Sequence, residues 1–187
     1  SEEPEILVTC PRGTHLKVTM DPSRFHLINS DGRLVKGFYG NPFPGEVYGH
    51  PADAEGPVVI TGTYFPLMTS GPFANDYVAL REALDRTPIN WEFEGGKMIN
   101  ARCDDTEINA IVQREVFERD PVHGRRLGEI GYPANLYRLG EVCGHLGLDE
   151  KRNLHAAHGH GYPRRTGADY ETDVHCDGVI RRGILEA

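Results

Sequence analysis

A chain of 187 residues with 39% hydrophobic and 26% charged residues has enough apolar material to bury a sizeable core as one domain. Its net charge of −8 makes the bulk surface repel phosphate backbones, so nucleic-acid binding is not expected from charge. No apolar run reaches the about 18–20 residues needed to cross a bilayer, which argues against a membrane role.

The first residues, "SEEPE", carry neither the basic nor the apolar stretch of a secretory leader. Four cysteines, Cys10, Cys103, Cys143 and Cys176, are scattered without a C-x-x-C step, which reads as buried free thiols. That usage points to a reducing compartment, the cytoplasm or the inside of an assembled particle.

In chain order, "EILVTC" and "HLKVTM" read as strands around the "PRGT" turn. Asp31-Gly32 is a hairpin signal between "RFHLI" and "RLVKGFY". Residues 40–57 read as one long Pro/Gly loop, of the kind that is functional or mobile. "VVITGTYF" is a β-branched strand. A helix is predicted from Asp76 to Arg86, stopped by Thr87-Pro88. "INWEFEGGKMINARC" reads as a hairpin turning at Gly95-Gly96, and it holds the single Trp, which reads as core.

The second half reads as mostly helical. Asp104 with Glu107 gives a capping pattern before Ile108, Ile111, Val112 and Val116 at helical spacing. Pro133 stands in the first turn of a predicted helix that aligns Leu136, Leu139, Cys143 and Leu146, with Gly147 as its cap. A short helix is predicted from Asp149 to His158. The tail, "TDVHCDGVIRRGIL", reads as a hairpin or closing strand. The expected fold is therefore α+β: a hairpin-rich N-terminal half packed on three to four short helices, with a C-terminal strand joining the sheet. A single domain is favoured, any sub-boundary falling near 120–132.

The candidate site is "NLHAAHGHGYP". On a helix ending at His158, His155 and His158 share a face, and His160 follows the turn at Gly159. His175 or Cys176 from the closing strand would complete a tetrahedron with metal distances of about 2.0–2.3 Å. Three imidazoles with an open position form a catalytic zinc pattern, whereas adding Cys176 closes the site as a structural one. The expected cofactor is zinc or another divalent transition metal. The bland alternative is that histidines at a helix C-terminus simply satisfy carbonyls and the helix dipole.

Two weaker readings stand beside it. "LGEVCGHLGLDEKRNLHAAH" has helix-turn-helix spacing, although Asn153 falls where a branched apolar residue is wanted. "CPRGTH", "LMTS" at 67–70 and "QREV" at 113–116 occur in an order that resembles the ADP-ribosyltransferase toxins. That resemblance implies Arg12 and Glu115 as the residues gripping a nicotinamide dinucleotide, with the Ser-Thr-Ser element missing.

The function expected from the sequence is thus a metal-binding domain, and beyond that a small metal-dependent enzyme. The alternative is a non-enzymatic subunit of a larger assembly, such as a virus particle, working through protein partners or self-association.

Overall fold

The structure is a computed structural model that describes residues 4–21, 23, 27–31, 33, 36, 44–66, 84, 86–134 and 146–186. Two six-stranded antiparallel sheets dominate it. The first has the order β12 (Ile184–Glu186), β1 (Glu5–Thr9), β2 (His15–Thr19), β5 (Asp53–Ile60), β7 (Ile89–Glu94) and β8 (Lys97–Arg102). The second has the order β3 (Ile28–Ser30), β4 (Glu46–Gly49), β9 (Leu127–Pro133), β10 (Leu154–Gly159), β11 (His175–Ile180) and β6 (Tyr64–Pro66).

The first sheet alternates as an antiparallel sheet with one wet face should. Leu16 and Val18 are buried while His15 and Lys17 are exposed, and Ile89, Trp91 and Phe93 point inward along β7. Gly95 and Gly96, both at positive φ, make the tight turn into β8.

The second sheet behaves differently. Every residue of β10 and β11 is buried, so neither strand shows a polar face. Residues 61–63 carry the chain from β5 in the first sheet to β6 in the second. Their backbone bonds to Val179 of β11, at Thr61 N, Gly62 N and Thr63 O, tie the two sheets together. One core fills the space between them, with Val58, Ile60, Trp91 and Phe93 facing Ile130, Leu154, Ala156, Cys176 and Ile180.

The expected α+β layout is overturned. The described helices are α1 (Thr106–Gln113), α2 (Leu146–Asp149) and α3 (Pro163–Thr166), with a π-helical turn at Arg114–Glu118 continuing α1. Among the described residues, the chain after α1 contributes four strands to the two sheets rather than a helical layer.

The helix expected from Asp149 to His158 is instead a turn followed by β10. Pro133 ends a strand. The long loop at 40–57 contains β4 and the start of β5. Asp105, not Asp104, caps α1, accepting from the amides of Glu107 and Ile108. The hairpin at Gly32, the helix at 76–86 and the body of the helix after Pro133 fall at least partly outside the described residues. Among the described residues, no helix is long and apolar enough to cross a membrane. Cys10, Cys103 and Cys176 are free thiols.

Candidate metal centre

Antiparallel register decides which side chains meet, because residues directly opposite share a face. His155 stands opposite Gly131 of β9, and Ala157 stands opposite both Glu129 of β9 and Asp177 of β11. Gly159 faces His175, and Gly131 faces Tyr48 of β4. Alternation along each strand then puts Glu46, Glu129, His155, His175 and Asp177 on one face of the second sheet.

The opposite face carries Ala156, His158, Cys176 and Gly178, and it points into the core. A strand therefore separates what a helix would have joined, since positions three apart on a strand face opposite ways.

The structure brings His155 and His175 to one site and removes His158 and Cys176 from it. His158 is buried against Tyr64 and Trp91. Its Nδ1–H donates to the Gly124 carbonyl at 2.7 Å, which leaves Nε2 to accept from the Tyr64 hydroxyl at 2.9 Å. Burial drives its pKa down to about 4, as befits a neutral core imidazole. The Cys176 thiol is fully buried, and that burial pushes its pKa up, away from a ligating thiolate. Replacing Cys176 with alanine is therefore expected to leave metal uptake unchanged while costing about 1–2 kcal/mol of packing. Metal analysis and thermal melts of the variant check both.

His160 contributes through its backbone. The Nδ1–H of His175 donates to the His160 carbonyl at 2.8 Å, which frees Nε2 as an electron-pair donor. Such a bond is the usual orienting contact behind a metal-ligating imidazole. His175 Nε2 lies 3.5 Å from Asp177 Oδ2 and 3.9 Å from Glu129 Oε2.

Two acidic residues on this face, Glu46 and Glu129, went unread in the sequence, as did Glu150 and Lys151. His155 Nε2 is 3.1 Å from Glu129 Oε1 and 3.8 Å from Glu46 Oε2. Glu150 and Lys151 follow α2. That turn is anchored by Asp149, which accepts from Thr63 N at 2.9 Å, Thr63 Oγ1 at 2.8 Å and Asn153 Nδ2 at 3.0 Å. Lys151 Nζ lies 2.5 Å from both Glu46 Oε2 and Glu150 Oε1.

Two donor groups result: Glu46, Glu150 and His155, and Glu129, His155 and Asp177. Within each group the ligand atoms lie within 4.8 Å of one another. All five residues are at most 5% exposed. His155 Nδ1 and Asp177 Oδ2 are buried without a hydrogen-bond partner.

The electrostatics match a site of crowded carboxylates. Burial opposes charge on His155, but its bond to Glu129 and the fields of Glu129, Glu150 and Asp177 lift its pKa to about 10. Burial likewise opposes charge on His175, and Asp177 and Glu129 lift it to about 9. Burial, with Asp177 and Glu46 nearby, raises Glu150 to about 7. Burial raises Glu129 as well. Asp177 is held low despite its burial, by His175 and then by His155 and Lys151.

A cleft of about 380 Å³ is lined by His160, Tyr162, Arg164, Arg165, Glu171 and Asp173 among others. Tyr162 joins it to the centre. Its ring lies 4.8 Å from that of His175 and 5.9 Å from that of Tyr48, on a backbone held in the left-handed region at φ 54°. A non-glycine residue held there costs energy and is common at binding sites.

The two weaker readings lose their footing. Glu115 is fully buried on the π-helical turn, paired with Arg114 at 3.0 Å and Arg119 at 2.6 Å, so it faces no dinucleotide. The expected recognition helix of a helix-turn-helix is strand β10.

No family model matches the chain, and no curated protein matches it. Solved structures do. AmpT from Thermus thermophilus superposes with a TM-score of 0.63 at 23% identity, covering 98% of this chain and 45% of that one. The 2,5-dihydroxypyridine dioxygenase from Pseudomonas putida KT2440 superposes with a TM-score of 0.63 at 14% identity, covering 99% of this chain and 52% of that one. The chain thus spans about half the length of each of these proteins and shares their fold.

Proposed function

We propose that the protein is a metal-dependent enzyme whose centre is built from His155, His175, Asp177, Glu129, Glu46 and Glu150. The observation that carries this reading is the pair of buried donor groups sharing His155, with Asp177 Oδ2 left unpartnered beside them. Buried carboxylates in this number need counter-charge, here lent by Lys151 and the two imidazoles, and a bound cation would take over that role.

Imidazole and carboxylate donors without thiolate suit zinc, manganese or iron. The donors fit such a metal, which supplies Lewis acidity and a water of lowered pKa when bound. The chain's own residues do the rest. The His160 carbonyl orients His175, Tyr162 borders the way from the cleft, and Glu150, near pKa 7, holds or passes a proton at its carboxyl at neutral pH.

A second reading is specific. His155, His175 and Asp177 match in type the two imidazoles and one carboxylate that hold iron in non-haem oxygenases, and one structural neighbour is named a dioxygenase. Iron-dependent oxygen consumption with candidate aromatic substrates favours it, and metal-dependent hydrolysis with no oxygen uptake removes it.

The test of the metal reading is proton release. His155 and His175 must lose their protons to ligate, so binding at pH 7.5 is expected to release at least one proton per metal. Release falls toward zero above about pH 10, where both imidazoles are already neutral. Zinc titration calorimetry in buffers of different ionisation enthalpy measures it, and absence of any metal uptake refutes the proposal.

Stability follows the same protons. Both imidazoles have folded pKa values above the unfolded value of about 6.5. Their contribution is therefore complete below that pH and is lost as pH rises through about 9 to 10. Chelated protein is expected to lose melting temperature over that window, and metal-loaded protein to hold it.

A further inference from the structure

Lys151 is fully buried and is the strangest member of the cluster. Its ammonium bridges Glu46 and Glu150 at 2.5 Å on each side. A divalent transition metal sits about 2.0–2.2 Å from carboxylate oxygens. Any cation held by Glu46 and Glu150 therefore needs the volume that the ammonium occupies.

The other half of the centre differs. The ion pairs of Glu129 and Asp177 among the described residues are with the imidazoles of His155 and His175. An imidazole becomes a ligand by losing a proton, whereas a lysine has to leave. Asp177 Oδ2 is buried there with no hydrogen-bond partner, and so is His155 Nδ1. His175 Nε2 lies 3.5 Å from Asp177 Oδ2. His155 Nε2 can serve one cation at a time, and it lies closer to Glu129 than to Glu46.

Resting on the metal reading above, we propose that the centre has two unequal cation positions. The tight one is formed by Glu129, His155, His175 and Asp177. The weak one is formed by Glu46 and Glu150, and a metal enters it only by displacing the Lys151 ammonium.

Lys151 then acts as a resident counter-ion. It neutralises two buried carboxylates while the second position is empty, and it holds the segment from Glu150 to His155 against β4. Its chemistry makes occupancy of the second position depend on free metal concentration.

The experiment titrates chelator-treated protein with zinc chloride by calorimetry. Wild type is expected to show one tight equivalent, then a second that is at least about 100-fold weaker or absent. K151M, which keeps bulk and removes charge, is expected to tighten the second equivalent at least tenfold and to change the first less than threefold. E150Q is expected to weaken the second step further and to spare the first. It keeps the test decisive if K151M does not fold.

Two equally tight equivalents in wild type overturn the proposal. So does a K151M isotherm matching wild type, or an E150Q variant that weakens the first step. A wild-type protein that takes up no zinc removes the metal centre itself, and is told apart because no heat appears before any variant is compared.

Discussion

Replacing His155 with alanine is expected to abolish stoichiometric metal binding and to destabilise the protein by about 3–5 kcal/mol. His155 is the imidazole common to both donor groups and stands nearer Glu129, so its loss takes a ligand from the position that fills first. It also removes the partner that Glu129 meets at 3.1 Å in a buried site. Removing one member of a buried charged pair leaves the other uncompensated, which is the costly case.

The neighbouring variant His158→Ala is the control. His158 lies on the core face, bonded to Tyr64 and the Gly124 carbonyl. It is expected to lose stability while keeping full metal content. Metal-to-protein ratios and thermal melts of the two variants, measured side by side, check the contrast. Equal metal loss in both would contradict the strand register that separates them.

The second large effect is expected at a residue with no side chain. Gly131 lies opposite His155 on β9, and a Cβ built there would stand 2.0 Å from His155 Cε1 and 2.1 Å from Nε2. The Cε1–Nε2 edge of the imidazole occupies the place a Cβ would take, and a contact that short forces the ring or the strand to move. Gly131→Ala is therefore expected to drive the ring out of place and to weaken metal binding about 10–100-fold, as loss of an orienting contact does. The added methyl in a packed site costs about 1–3 kcal/mol in stability. Zinc affinity against melting temperature separates the two effects. A variant with unchanged affinity would show that the imidazole does not need the position it holds.

The charge state of the centre links these variants to pH. In the metal-free protein, despite burial, the neighbouring carboxylates raise the pKa of His155 and His175 and so favour their charged forms. On the proposed metal reading they would bind the cation as neutral donors. His155→Ala is expected to lose the proton release seen on metal addition, because no cation is held that would displace the protons of the centre.

Much of the first sheet was legible in the sequence. β2 and β7 alternate because one face is wet, and the glycine pair between β7 and β8 announces its turn. The second sheet was not, and β10 shows why. "LHAAHG" is buried on both faces, so it carries no period of two, and its alanines and leucine are strong helix formers. Local preference favoured a helix, and pairing with β9 and β11 on both sides overrode it.

The site divided the same way. That histidines of the 155–175 region were candidate metal ligands could be read from their density, and His155 and His175 do converge. Choosing among them could not, because His155 and His158 share a helical face but stand on opposite faces of a strand. Glu46, Glu129 and Lys151 lie 109, 26 and 4 residues from His155 and carry no spacing signal. By itself the sequence determined the chain's apolar content, its acidic charge, the strands of the wet sheet and the supply of imidazoles and carboxylates. Only the tertiary structure decided which of them meet, because antiparallel register is set by long-range pairing, and a shift of one residue turns every ligand to the other side of the sheet.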